Sequence, residues 1–181
     1  NMLYVFGDSF AKMNDNPPEW VYPTLVAKLL NTEEKNFGFP SSSLAYTFDK
    51  FEEQRNNFVE GDVVIITLTL REKTYFFHDR PWLSHLWSFD GTAPYTKEEH
   101  DLIKLYFEHN KNEKNSVNNL INFLHSVQDI TQRKKLKTVV FKTFLSDIDN
   151  LITNERYPDL LIANGCFWSG MKGEISQESL K

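Results

Sequence analysis

The sequence predicts a three-layer α/β/α fold on a mainly parallel sheet of four to five strands. Short apolar runs alternate with longer stretches of helical period, the pattern of strand–helix–strand units. The clearest run, DVVIITLTL from Asp62 to Leu70, is β-branched without polar alternation, as a central strand covered on both faces requires. Three strand ends carry small and hydroxyl-bearing residues: Gly7-Asp8-Ser9, Pro40 to Ser43, and Thr69 to Glu72. In open parallel sheets ligands collect beyond the carboxyl ends of the strands, so these three segments mark one place.

The elements follow in order. Leu3 to Phe6 is a short buried strand. Glu19 to Leu30 is a helix if Pro23 lies in its first turn, with Trp20, Leu25, Val26, Leu29 and Leu30 on one face. Lys35 to Phe39 is a second strand ending in Pro-Ser-Ser-Ser. The stretch LAYTFDKFEEQRNNF is a helix with Leu44, Phe48, Phe51 and Phe58 inward. The Asp62–Leu70 strand is followed by an aromatic-rich segment without period, an insertion spanning 71–95. Thr96 and Glu99 have capping-box spacing and open a helix. A further helix covers SVNNLINFLHSVQDI; Lys137 to Phe144 and then PDLLIANG are the last strands.

Composition narrows the function. The 181 residues fit one domain, 2–181, and are 40% hydrophobic and 25% charged, as in a globular protein. A net charge of −5 and no dominant basic stretch argue against a nucleic-acid partner. One cysteine, Cys166, rules out an internal disulfide and any Cys-x-x-Cys metal site. No apolar run approaches the length of a membrane span, and the first residues lack a leader pattern. A cytoplasmic protein without a membrane partner is the expectation.

Ser9 has two readings. Serine and aspartate both cap helices, because their oxygens accept free backbone N–H groups. Alternatively, Gly7 permits a tight bend that presents the Ser9 hydroxyl as a nucleophile, close to N–H groups able to stabilise an oxyanion.

A Gly-Asp-Ser directly after the first strand resembles block I of the SGNH (GDSL-like) hydrolases. NFGFPSSS is similar to block II, and DVVIITLTLREKTYFF resembles block III of a divergent branch found among phage and bacterial polysaccharide-associated proteins. The resemblance covers Leu3 to about Phe144, and the phage branch implies a virion-associated protein as the alternative to a cytoplasmic one. The resemblance implies a flavodoxin-like sheet and hydrolysis of an ester, often an acetyl group on a carbohydrate, without metal or cofactor. It also implies a nucleophile at Ser9, a bracing role for Asp8, and oxyanion donors at the Ser9 N–H, Ser41 and Thr69. Arg71, His78 and Trp82 are the candidate substrate-binding residues, the substrate being a small-molecule or polysaccharide ester.

The sequence departs from the family at three places, the first being Ser41, which stands where block II carries a glycine and shares with it a backbone N–H donor. Thr69-Leu70 stands where block III carries an asparagine, and no Asp-x-x-His occurs. After the Lys137–Phe144 run come Asp147, Asp149 and Asp159 but no histidine. Three explanations remain open: a chain that is C-terminally incomplete relative to the family, a substitute such as His78 oriented by Asp79, or a degenerate site that binds a glycan or a protein. His85 shares the aromatic segment, where stacking among aromatics is the structural alternative. His100 and His109 fall on a polar helix face, and His125 is expected at a helix boundary. Tyr75, Phe76, Phe77, Trp82, Trp87 and Phe89 form either a packed cover or a platform for sugar rings.

Overall fold

The sheet is all-parallel in the order β2-β1-β3-β4-β5. It is seen in a computed structural model that describes residues 1–12, 21–40, 42–69, 96–109, 113–143 and 149–166. The strands are β1 (Met2–Phe6), β2 (Glu33–Asn36), β3 (Val63–Leu68), β4 (Lys137–Lys142) and β5 (Leu160–Cys166). That order is the flavodoxin-like one, with its switch point between β1 and β3. The insertion expected at 71–95 lies outside the described residues.

β3 is central. Its register runs Leu3↔Val63 to Phe6↔Ile66 on one side and Val63↔Lys137 to Leu68↔Lys142 on the other. Val64, Ile66 and Leu68 face one layer; Val63 and Ile65 face the other. The absence of polar alternation in this run thus has its expected cause.

Two helices cover the larger face. α2 (Leu44–Gln54) and α4 (Glu113–Lys134) meet the sheet through Phe51, Leu120, Phe123, Leu124, Val127 and Ile130. Leu44 and Phe48 pack against the same cluster, and Phe58 is buried within it, as their spacing predicts. α3 (Lys97–His109) begins with the reciprocal cap expected from sequence. The Glu99 N–H donates to Thr96 Oγ1 at 3.2 Å, and the Thr96 N–H to Glu99 Oε2 at 2.8 Å.

α1 (Tyr22–Leu30) lies on the opposite face, with Pro23 in its first turn. Its inward side differs from the expectation. Pro23 and Ala27 are buried and Tyr22 and Val26 partly so, whereas Leu25 and Leu30 are about half exposed and Leu29 is 86% exposed. Ala27 brings the short helix close to Leu3, Val5 and Ile65, and that close approach turns the leucines outward. Trp20 is outside the described residues. The second strand is also shifted: β2 ends at Asn36, and Phe37 and Phe39 continue the ladder by donating N–H groups to Val5 and Gly7 carbonyls. His125 lies in mid-helix, exposed, with its ring 5.2 Å from that of Tyr157, and not at a helix boundary.

The amino edge of the sheet is tied by Asp62. Its buried carboxylate accepts from the Met2 N–H at 2.9 Å and the Val59 N–H at 3.0 Å.

Candidate functional site

At its carboxyl end β1 runs directly against β3. Gly7 sits so close to Thr67 that a β-carbon there would lie 1.6 Å from Thr67 Oγ1. Its φ is not positive, so glycine is required for space and not for backbone freedom. Thr67 in turn donates its hydroxyl to the Phe6 carbonyl at 3.3 Å, and Ser42 donates to the Gly7 carbonyl at 3.2 Å. Three strand ends thereby converge on Gly7.

The chain bends at the next residue. The Asp8 carbonyl accepts from the Ala11 and Lys12 N–H groups, and Asp8 Oδ1 accepts from the Phe10 N–H at 3.1 Å. This last contact, from a side chain to the N–H two residues on, is an Asx-turn. It separates the two readings of Ser9, because the buried Asp8 carboxylate does the capping. Ser9 itself is half-buried, and among the described residues neither its hydroxyl nor its N–H has a hydrogen-bond partner. No helix begins at Ser9 among the described residues; α1 starts at Tyr22.

Behind the bend lies a buried polar cluster. The Tyr22 hydroxyl, from α1, lies near Thr67 and Asp8. Burial holds it far above the usual tyrosine pKa; a hydrogen bond with Thr67 offsets part of this, and the Asp8 charge adds to it. Asp8 Oδ2 is buried without a hydrogen-bond partner, as are the hydroxyls of Thr69 and Thr143. Buried oxygens of this kind are uncommon; elsewhere among the described residues they include Glu34 Oε2, Asp149 Oδ1 and the Tyr157 hydroxyl.

The sequence-predicted residues divide as follows. Asp8 and Ser9 follow β1 and Thr69 follows β3, at the adjoining carboxyl ends of two paired strands. Ser41, Arg71, His78 and Trp82 lie outside the described residues, as do Asp79, His85 and the aromatic segment. Ser42 and Ser43 have structural duties: Ser42 ties the β2 exit to Gly7, and Ser43 caps α2 by accepting from the Tyr46 N–H at 3.2 Å. Thr67, Tyr22 and Thr143 were not singled out from sequence. Thr67 had a signal there, since in TLTL it shares a face with Thr69. Tyr22 had none, because its role depends on how α1 docks.

Farther along the rim, Lys142 pairs with Asp149 at 3.3 Å, both largely buried. Among the described residues no cluster of His, Cys, Asp and Glu is arranged to hold a metal ion. No described helix is long and apolar enough to cross a membrane.

No family model matches this chain, and no curated protein matches it. Among solved structures it is similar to a protein of Desulfitobacterium hafniense DCB-2, named as a candidate lipolytic protein of the G-D-S-L family. The two are 13% identical, with a TM-score of 0.47, over 90% of this chain and 75% of the other. The fold stated above rests on this chain's own strand order and register.

Proposed function

We propose that the protein is a serine ester hydrolase of SGNH type that acts through Ser9. One observation carries the reading: Asp8 takes the capping contacts of the bend after β1, which leaves the Ser9 hydroxyl and N–H uncommitted beside the switch point. The order of the three sequence blocks supports it.

In this mechanism Ser9 Oγ attacks the ester carbonyl, and its proton passes to a base. The carbonyl oxygen becomes an oxyanion that accepts from the Ser9 N–H, the Ser41 N–H and the Thr69 hydroxyl. Collapse expels the alcohol, which takes the proton, and leaves an acyl-serine; water then releases the acid and restores Ser9. His78 is a candidate for the base, and Arg71 and Trp82 are candidates for holding the substrate; all three lie outside the described residues. A carbohydrate O-acetyl ester is the substrate class that the aromatic segment and the family branch favour.

A second reading has its own support. The sequence has neither the block III asparagine nor an Asp-x-x-His, which favours a degenerate module that binds a glycan or a protein partner. A serine-reactive fluorophosphonate probe and p-nitrophenyl acetate separate the two. The hydrolase reading expects labelling and turnover that Ser9→Ala abolishes. Equal labelling of both proteins, or turnover that survives Ser9→Ala, removes Ser9 from the chemistry.

A further inference from the structure

We propose that Thr143, at the carboxyl end of β4, is a positioning residue for Thr69. Its hydroxyl donates to Thr69 Oγ1, so that the Thr69 proton is turned toward the carbonyl oxygen of an ester held at Ser9. The inference rests on the hydrolase reading above and adds to it a residue outside the three sequence blocks.

The ladder places the two side by side. Leu68 and Lys142 are register partners, and the Thr143 N–H donates to the Leu68 carbonyl at 2.9 Å. The next rung therefore carries Thr69 and Thr143. Side chains alternate along a strand, so both stand on the face of Thr67 and Phe141, which is also the face of Gly7's contact with β3. Threonines opposite one another on neighbouring strands are a recurring hydrogen-bonded pair. A buried pair of threonine hydroxyls also occurs between a helix and a strand of this chain, where Thr131 of α4 and Thr138 of β4 meet at 2.7 Å. At the Thr69–Thr143 rung both oxygens are buried and neither has a partner.

A threonine hydroxyl can accept one hydrogen bond while it donates another. A turn of χ1 at either residue satisfies both groups as a chain, with Thr143 donating to Thr69 and Thr69 donating outward. Thr143 is completely buried, whereas Thr69 keeps 7% of its surface with its hydroxyl oxygen covered, so Thr69 is the outer member of the pair and the turn of χ1 is what brings its hydroxyl to substrate. A donor that is itself hydrogen-bonded is polarised, which strengthens its bond to a developing oxyanion. Lys142 does not compete for this role, because it alternates to the other face and is held by Asp149.

The experiment measures kcat and KM for p-nitrophenyl acetate, with urea unfolding alongside, in Thr143→Val, Thr143→Ser, Thr69→Val and the double Val variant. Thr69→Val is expected to lower kcat about a hundredfold, the usual effect of losing one oxyanion donor. Thr143→Val is expected to lower kcat about tenfold, with KM and the urea midpoint retained, because one hydrogen bond to the donor is lost. Thr143→Ser restores the rate, and the double variant is no slower than Thr69→Val alone. If Thr143→Val does not fold, Thr143→Ala carries the same expectation. Full kcat in the Thr143 variants, or losses that multiply in the double variant, overturn the inference while Ser9→Ala still shows the hydrolase reading to hold. Turnover unaffected by Ser9→Ala overturns both.

Discussion

Gly7→Ala tests the elbow most directly. The new β-carbon would fall 1.6 Å from Thr67 Oγ1, 3.0 Å from the Thr67 β-carbon and 3.3 Å from the Ala11 β-carbon. The first contact cannot exist. Either Thr67 leaves its rotamer and gives up its hydrogen bond to the Phe6 carbonyl, or β1 moves away from β3. The lost hydrogen bond costs about 0.5–1.5 kcal/mol, and overpacking a filled interior costs about 1–3 kcal/mol. The expected destabilisation is about 2–4 kcal/mol, a large fraction of the about 5–15 kcal/mol that holds a domain folded. In urea this appears as a midpoint lowered by about 1–2 M. Adding Thr67→Ala removes the oxygen but leaves a β-carbon at 3.0 Å, so the double variant should recover only part of the loss. A coupling energy of at least about 1 kcal/mol is expected from the double-mutant cycle. A Gly7→Ala protein within about 0.5 kcal/mol of the parent, or losses that simply add, would falsify the claim that the elbow is wedged against β3.

Two further outcomes follow from the structure. Asp62→Ala strands the Met2 and Val59 N–H groups at the amino edge and should cost about 3–5 kcal/mol in urea unfolding. Fluorophosphonate labelling of the folded protein should be unaffected, because that edge lies about 20 Å from Ser9 along the strands; a change in labelling with unchanged stability contradicts this. Burial keeps Tyr22 protonated in the fold far above the usual tyrosine range, so its contribution to stability is complete below about pH 10. As the pH rises further the unfolded chain ionises first and stability falls, by up to about 1.4 kcal/mol per pH unit for this group. Tyr4, Tyr46 and Tyr157 are shifted in the same direction, so Tyr22→Phe should flatten the alkaline loss without abolishing it. Identical slopes in the two proteins contradict the assignment.

Much of the fold was legible in the sequence because its signals are local. Asp62–Leu70 had to be central, since a run apolar on both faces has no solvent side. Thr96 and Glu99 announced their helix through two hydrogen bonds confined to four residues. The orientation of α1 was not legible. Its leucine pattern fits a buried stripe, yet burial went to Ala27, because a nine-residue helix docks where it can come closest and not where it is greasiest. The site shows the same division. Gly-Asp-Ser after a strand was visible in three letters. That Thr67 would forbid a side chain at position 7, and that Thr143 would stand beside Thr69, depend on pairing residues about sixty or seventy positions apart.

The outer strands are each defended in a different way. β2 is Glu33-Glu34-Lys35-Asn36, a margin of charge. On β5, Asn154 lays its side-chain amide against Ile162, donating to its carbonyl at 3.0 Å and accepting from its N–H at 2.7 Å, as a neighbouring strand would. Such borders discourage a foreign strand from annealing onto the sheet. Among the described residues both margins of the sheet are thus poor templates, and growth into ordered aggregates from the native state is resisted there.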